Sequence, residues 1–384
     1  MDLDRFRSSP SGRVARVGQG EAGYWAFVPN PLPPALDYTP EIIHTLSRAD
    51  RAAGELSGVG RSLSNPQLLL APLMRREAVL SSRIEGTETD LSQLYAYEAG
   101  AMKADAGDVR EVYNYVQALK YGLERLATLP VSLRLLREMH RILLDDVRGA
   151  YAAPGEFRRT QNWIGPPGCT LNDATFVPPP PAELMDALGA LESYLHAEDG
   201  HPPLVRLAFI HYQFEAIHPF LDGNGRIGRL LLALLLVRWR LLPLPLLYLS
   251  AYFERHRSAY YDHLLAVSRD GDWPAWVRFF LEGVAAQATD TVARIKALQD
   301  LQAAWRDDLM QTRAPATALR LMEYLFETPT LTITQVEKAL NVTYVSASKA
   351  VSRLVNMEIL QPITPQAKRG KTYQAGDILE ILRR

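Results

Sequence analysis

Cysteine is nearly absent: the 384-residue chain has one, Cys169. That excludes an internal disulfide framework and any cysteine-rich zinc site. An excess of charge of one sign is also missing, with 42 basic against 43 acidic residues and a net charge of −1. No global pull toward nucleic acid or anionic membrane follows from such a balance, and only local basic patches could supply one. The opening MDLDRFRSS has no apolar run, so no signal peptide is expected. The most apolar stretch, Leu230 to Leu249, is broken by Arg238, Arg240, Pro243 and Pro245. It reads as a buried helix followed by an extended turn, not as a bilayer span. No fixed period recurs, which argues against a solenoid. No G-x-x-x-x-G-K-[ST] occurs, which excludes P-loop chemistry. A soluble, reduced, cytoplasmic protein with no membrane partner is the expectation.

What is present is a chain with 47% hydrophobic residues, enough for a sizeable core in two or three domains. Tyr24 to Val28 reads as a short extended piece, and the following PNPLPP cannot be helical. From Thr39 to about Leu126 apolar residues recur at helical steps. The break near Gly100–Gly107 precedes an amphipathic helix from Val109 to Leu126, and Leu133 to Leu144 makes another. Residues 151–181 are rich in Pro and Gly, with β-capable pieces at Phe157–Ile164 and Thr175–Val177, and predict a hairpin or irregular flap. Helices resume at Ala182–His196, Pro203–Glu215, Tyr252–Leu265 and Trp273–Leu301. The last seventy residues run helix (Ala316–Phe326), short β piece (331–334, capping a helix at Thr334), helix (Gln335–Leu340), turn, helix (Ser346–Met357). Two β pieces then flank Lys368–Lys371. That is the order of a winged helix, and residues 315–384 carry nine basic and six acidic residues.

The strongest chemical signal is His218 to Arg229, HPFLDGNGRIGR, placed between two apolar helices. Gly223, Gly225 and Gly228 would let backbone approach a ligand closely. A helix starting near Asn224–Arg226 offers free N–H groups and a positive dipole end to an anion. Arg226 and Arg229 lie three apart on its first turn, against the dipole's preference. Their placement makes sense beside a polyanion such as a triphosphate. Asp222 supplies a hard oxygen for Mg²⁺. His218 is the loop's one base, with an ordinary imidazole pKa of about 6.5. A Gly-rich turn whose Arg and Asp merely pair is the plainer alternative.

At these residues the chain resembles the Fic family, whose signature is HPFx[DE]GNGRxxR. The resemblance covers most of the chain. It implies a mainly α fold, a Fic helical core with a β-hairpin flap, and a C-terminal winged helix-turn-helix domain. It also implies transfer of AMP from ATP to a hydroxyl side chain of a protein, the chain itself included. Carried over, His218 resembles the base that deprotonates a target Ser, Thr or Tyr. Asp222 resembles the holder of Mg²⁺ on the α- and β-phosphates. Asn224 and the backbone of Gly223, Asn224, Gly225 and Arg226 resemble the phosphate cradle, with Gly228 in the same nucleotide-binding turn. Arg229 resembles the γ-phosphate partner, with Arg226 nearby, and Phe220 the buried anchor. A sister branch with Lys at the position of Gly225 reverses the nucleotide and phosphorylates; Gly225 favours AMP transfer.

Three further segments gain meaning beside that motif. Ser81, Glu85 and Gly86 resemble the family's inhibitory motif, [ST]xxxE[GN], on a helix spanning about 72–86. Glu85 would pair with Arg229 and hold ATP in an unproductive pose. The flap, 154–168, resembles the strap that clamps a target by strand addition, through Phe157, Arg158, Arg159 and Thr160. Ile164 and Gly165 would cover the nucleotide, and Arg158 and Arg159 are expected to be freely exposed. Tyr260 and Tyr261 resemble adenine-pocket positions, with ordinary core aromatics as the alternative. His211 is expected to be a core histidine, and Cys169 has no assigned role. The segments then read as an N-terminal helical region carrying the inhibitory helix (1–108), a catalytic core (109–283), a helical linker (284–314) and the winged helix (315–384). The alternative functions are a DNA-binding regulator acting through the winged helix, and a Fic enzyme that uses another nucleotide or removes AMP through Glu85. Cations on the winged helix are few for reading phosphates: Lys349, Arg353, Lys368, Arg369 and Lys371. Family members commonly dimerise, but no interface is legible.

Overall fold

The computed structural model describes residues 1–20, 23–63, 65–100, 107–147, 153–363 and 371–383. In chain order the first elements are α1 (Leu3–Arg7), β1 (Gly12–Val17), β2 (Tyr24–Pro29), α2 (Pro40–Ser62), α3 (Gln67–Ile84) and α4 (Leu91–Glu98). Next come α5 (Gly107–Arg125), α6 (Leu133–Leu143), α7 (Pro181–His196), α8 (Pro203–Ile217) and α9 (Asn224–Arg238). Then follow α10 (Ser250–Arg255), α11 (Arg257–Asp270) and α12 (Trp273–Gln311). The last are α13 (Ala316–Leu325), β3 (Thr330–Thr332), α14 (Ile333–Leu340), α15 (Tyr344–Asn356), β4 (Gln361–Pro362), β5 (Thr372–Gln374) and α16 (Gly376–Arg383). The fold is mainly α. It divides into two compact units, residues 1–54 with 117–288 and residues 55–116 with 289–384.

In the first unit α8 and α9 pack on each other, and nearly every residue of both is buried. A helix apolar on all sides belongs in a core, not on a surface. Trp276 ties α12 to α8 by donating its indole N–H to Ala208 O at 2.8 Å. β1 and β2 pair antiparallel from Gly12↔Pro29 to Val17↔Tyr24. The loop from His218 to Gly223 therefore joins two immobilised helices, and its ends cannot drift. The periodicity is confirmed within a few residues for most helices, with two corrections. The helix expected over Trp273–Leu301 runs on to Gln311. The expected Tyr252–Leu265 helix is two, α10 and α11, broken at His256. Residues 284–311 belong to α12, which begins at Trp273.

The expected flap strands are also corrected. Between 153 and 180 no strand forms, and the only ladder contact is one antiparallel bridge, Ile164↔Phe176, with N–H to O distances of 2.9 and 3.0 Å. Side chains take the place of a ladder. The Gln161 amide donates to Asn162 O and Pro178 O, and Tyr24 donates to Gln161 Oε1 at 3.0 Å. Phe27 N–H bonds Val177 O at 2.8 Å, fastening the far limb of the flap to β2.

The second unit contains the winged helix: α13, α14 and α15 with a three-stranded sheet in the order β3-β5-β4. The helix cap expected at Thr334 is at Thr332, which forms a capping box with Gln335. α16 follows the sheet and was not anticipated. It packs on α3 and α4, and α4 packs on β3. Residues 368–370 lie outside the described residues, as do 101–106 in the break before α5.

Candidate functional site

α8 ends at Ile217, and His218 is its C-cap with φ 49° and ψ 61°. A non-glycine residue in the left-handed region is uncommon and is held there by its surroundings. Phe220 follows, fully buried. Asn224, also buried, closes the turn twice: its Oδ1 accepts from Phe220 N–H and its Nδ2 donates to Phe220 O, both at 2.8 Å. Asn224 thus braces the loop with its side chain. Gly223 has φ 78° at the N-cap of α9, a conformation that favours glycine. Its N–H bonds Asp222 Oδ1 at 2.6 Å. No side chain caps α9, the arrangement in which a first helical turn takes up an anion.

The loop's charges sit on that turn. Arg226 and Arg229 are both buried. Arg226 Nη2 lies 3.3 Å from Asp222 Oδ1, and the Asp222 side chain remains 46% exposed. Gly228 also has a packing purpose. A Cβ there would meet Glu215 Oε1 at 2.4 Å and Phe214 Cδ1 at 3.1 Å, so it lets α9 close on α8. The His218 ring nitrogen Nδ1 is 3.2 Å from Glu215 O. A carbonyl only accepts, so the tautomer assigned from this bond carries its hydrogen on Nδ1 and is basic at Nε2.

Arg158 corrects the sequence reading most sharply. It is 4% exposed, not free, and the carboxylate nearest to it in the sequence, Glu156, pairs with Arg137 instead. Its guanidinium donates to His218 O at 2.9 Å, Pro179 O at 2.6 Å and Ile217 O at 3.3 Å. Burial pushes its pKa down to about 10, so it stays charged at neutral pH. Phe157 also faces inward, 5.1 Å from the Phe220 ring. Arg159 and Thr160 are exposed, as are Ile164 at 38% and Gly165. A cleft of about 650 Å³ lies along this limb, lined by Leu133, Arg137, Glu156, Phe157, Arg159 and Met185 among others.

Two residues of this region went unnoticed in the sequence. Asn162 donates to His218 O at 3.3 Å and Phe220 O at 2.8 Å. His140, fully buried on α6, lies flat on Phe220 with ring centroids 3.8 Å apart. It accepts from Gly155 N–H at Nδ1 (2.8 Å) and donates from Nε2 to Asp222 O (3.0 Å). Burial holds its pKa down to about 4, so it is a neutral bridge. The signal was its spacing with Leu136, Met139 and Leu143 on the buried face of α6.

Tyr260 is buried, stacked on Phe253 at 4.4 Å, and its hydroxyl shares a 2.9 Å hydrogen bond with His211 Nε2. Tyr261 is 41% exposed. His211 is a core histidine, with its pKa pushed down to about 3 by burial first and by Arg229 second. In the other unit, Ser81 is buried on α3, Glu85 is that helix's exposed C-cap, and Gly86 has φ 93°. The helix begins at Gln67, five residues before the expected 72, with Pro72 inside it. Among the described residues, no cluster of three or more His, Cys, Asp or Glu could hold a metal, and no helix is long and apolar enough to cross a membrane.

Residues 43–124 match the Fic/DOC family N-terminal model, and residues 130–236 match the Fic/DOC family model. A protein of Culex quinquefasciatus named Protein adenylyltransferase Fic is 33% identical over 210 residues, 52% of this chain and 38% of that one. A Drosophila persimilis protein of the same name is 29% identical over 258 residues, 64% of this chain and 47% of that one. The chain thus spans less than half the length of these relatives. A crystal structure of a Fic family protein from Desulfovibrio desulfuricans G20 superposes with a TM-score of 0.58 and 19% identity, covering 90% of this chain and 98% of that one. That likeness concerns the fold.

Proposed function

We propose that the chain, whose residues 43–124 and 130–236 match the Fic/DOC family models, is a protein adenylyltransferase that moves AMP from ATP to a Ser, Thr or Tyr hydroxyl of a target protein. The observation that carries this reading is the loop itself: a histidine basic at Nε2 stands beside an uncapped helix N-terminus flanked by two buried arginines. The first-turn N–H groups of α9, with Arg226 and Arg229, receive the phosphates. The target oxygen attacks the α-phosphorus, the bond from that phosphorus to the pyrophosphate oxygen breaks, and the hydroxyl proton passes to His218 Nε2.

Asp222 fits a Mg²⁺ role. A single half-exposed carboxylate beside a phosphate site suits an ion that takes most of its oxygens from water and nucleotide. When bound there, Mg²⁺ would neutralise charge on the phosphates. Asp222 itself keeps its carboxylate oriented through Gly223 N–H.

The exposed flap residues Arg159, Thr160, Ile164 and Gly165 suit a target docked by backbone pairing. Phe157 and Arg158 have structural partners and support the flap from behind. Tyr261 is the exposed member of the proposed adenine pair. The motif Ser81–Gly86 supports a restraint on the reaction, and Glu85, exposed at the end of α3, is the residue whose removal tests it. DNA reading by the winged helix is the weaker alternative. Arg353 donates to Thr312 O at 3.2 Å, and the start of α15 exposes Tyr344 and Val345 in place of cations.

Intact-protein mass after incubation with Mg²⁺ and ATP tests the proposal. The Glu85→Gly variant should gain adenylyl groups well beyond wild type. Adding His218→Ala should reduce the rate by about 10²–10⁴-fold. A phosphate-sized gain, or adenylylation undiminished without His218, would overturn the assignment.

A further inference from the structure

Four successive backbone carbonyls, that of Ile217 at the end of α8 and those of His218, Pro219 and Phe220 in the signature loop, are held by two flap side chains and one flap amide. Ile217 O accepts from Arg158 Nη2 at 3.3 Å, and His218 O accepts from Arg158 Nε at 2.9 Å and Asn162 Nδ2 at 3.3 Å. Pro219 O accepts from the Arg158 backbone N–H at 2.9 Å, and Phe220 O accepts from Asn162 Nδ2 at 2.8 Å. Arg158 also holds its own side of the flap, through Pro179 O at 2.6 Å and Thr160 O at 3.5 Å.

Among the described residues no carboxylate pairs with Arg158, and its hydrogen bonds go to carbonyls. A buried guanidinium without a counter-ion is costly. What it supplies here is a rigid fork of donors. The segment it grips contains the one non-glycine left-handed residue of the loop, His218 at φ 49°. Such a conformation persists only where the surroundings over-determine it. The same two side chains sit on the limb that leads to the exposed flap tip, Trp163 to Gly168.

We propose that Arg158 and Asn162 are positioning residues for His218, a cross-brace from the flap that fixes the aim of the base. This rests on the reading of His218 as that base. The brace touches neither reacting atoms nor nucleotide in this scheme. It acts through the His218 backbone, so its loss should lower turnover and leave ATP affinity nearly intact. A misplacement on the order of 1 Å is enough to cost about 100-fold.

The test uses the full chain in the Glu85→Gly background, with Arg158→Gln, Arg158→Lys and Asn162→Ala. Each is measured for AMP transfer, for KM for ATP, and for the His218 ring signal in ¹H–¹³C spectra, assigned by its disappearance in His218→Ala. Arg158→Gln should lose about 100-fold in kcat with KM changed less than about twofold, and the His218 signal should move. Lysine, a point donor, should restore only part of this. Asn162→Ala, which removes two bonds and keeps the guanidinium, should lose about 10-fold and guards against a misfolded Arg158 variant. An unmoved His218 signal in folded variants, or an unchanged kcat, would overturn the proposal. If the parent transfers no AMP at all, the adenylyltransferase reading falls, and the His218 signal alone still decides whether the brace positions the ring.

Discussion

The signature loop and the flap hold the same backbone by opposite means. Residues 218–229 close in part on themselves, while the flap and His140 take other carbonyls of the same loop. Asn224 bonds Phe220 twice across four residues, and Asp222 bonds its neighbour Gly223. The flap keeps one bridge of its own and reaches outward instead. Arg158 bonds a carbonyl 60 residues away, and Asn162 one 58 residues away. A segment that satisfies itself locally can be recognised from its own letters. A segment that satisfies another cannot, because half of each bond is written elsewhere in the chain.

Substitutions can sharpen that contrast or break it. Arg158→Ala should have the largest effect on stability, lowering it by about 3 kcal/mol in urea unfolding, because buried carbonyls lose their charged donor. A loss below about 1 kcal/mol would mean that water replaces the brace. Gly223→Ala should come next, at about 1–2 kcal/mol, since its φ of 78° is unfavourable for an L-residue and Leu143 Cδ2 would lie 3.3 Å from the new Cβ. An unchanged midpoint there would show that the loop can adopt another turn. Arg159→Ala should be the smallest, within about 0.5 kcal/mol, as an exposed substitution away from packing. Equal effects from the two adjacent arginines would erase the distinction between brace and surface.

The same logic explains what was legible. Twelve contiguous residues carried the loop, and helical periodicity carried the core helices. The winged helix followed from element order, although the cap was placed at Thr334 when Thr332-x-x-Gln335 is the spacing of a capping box. α16 was overlooked despite Ile378, Leu379 and Leu382 at helical steps. The flap failed for a physical reason. Its β-capable residues suggested strands, but Pro166, Pro167 and Pro178–Pro181 cannot donate to a ladder, and side-chain amides took several of the carbonyls. Arg158 looked like a surface cation because two arginines in a Pro- and Gly-rich segment usually are. Nor could a reading along the chain join residues 55–116 to 289–384 in one compact unit.

Arg158 has one more consequence, and it concerns acidity. An ordinary imidazole changes charge between pH 5 and 8. A guanidinium does not, and even with burial pushing it down to about 10, Arg158 keeps its proton throughout that interval. The group that grips the His218 backbone in the proposed brace is therefore insensitive to pH across those values. Its hold on the His218 carbonyl should stay unchanged from one end of the range to the other.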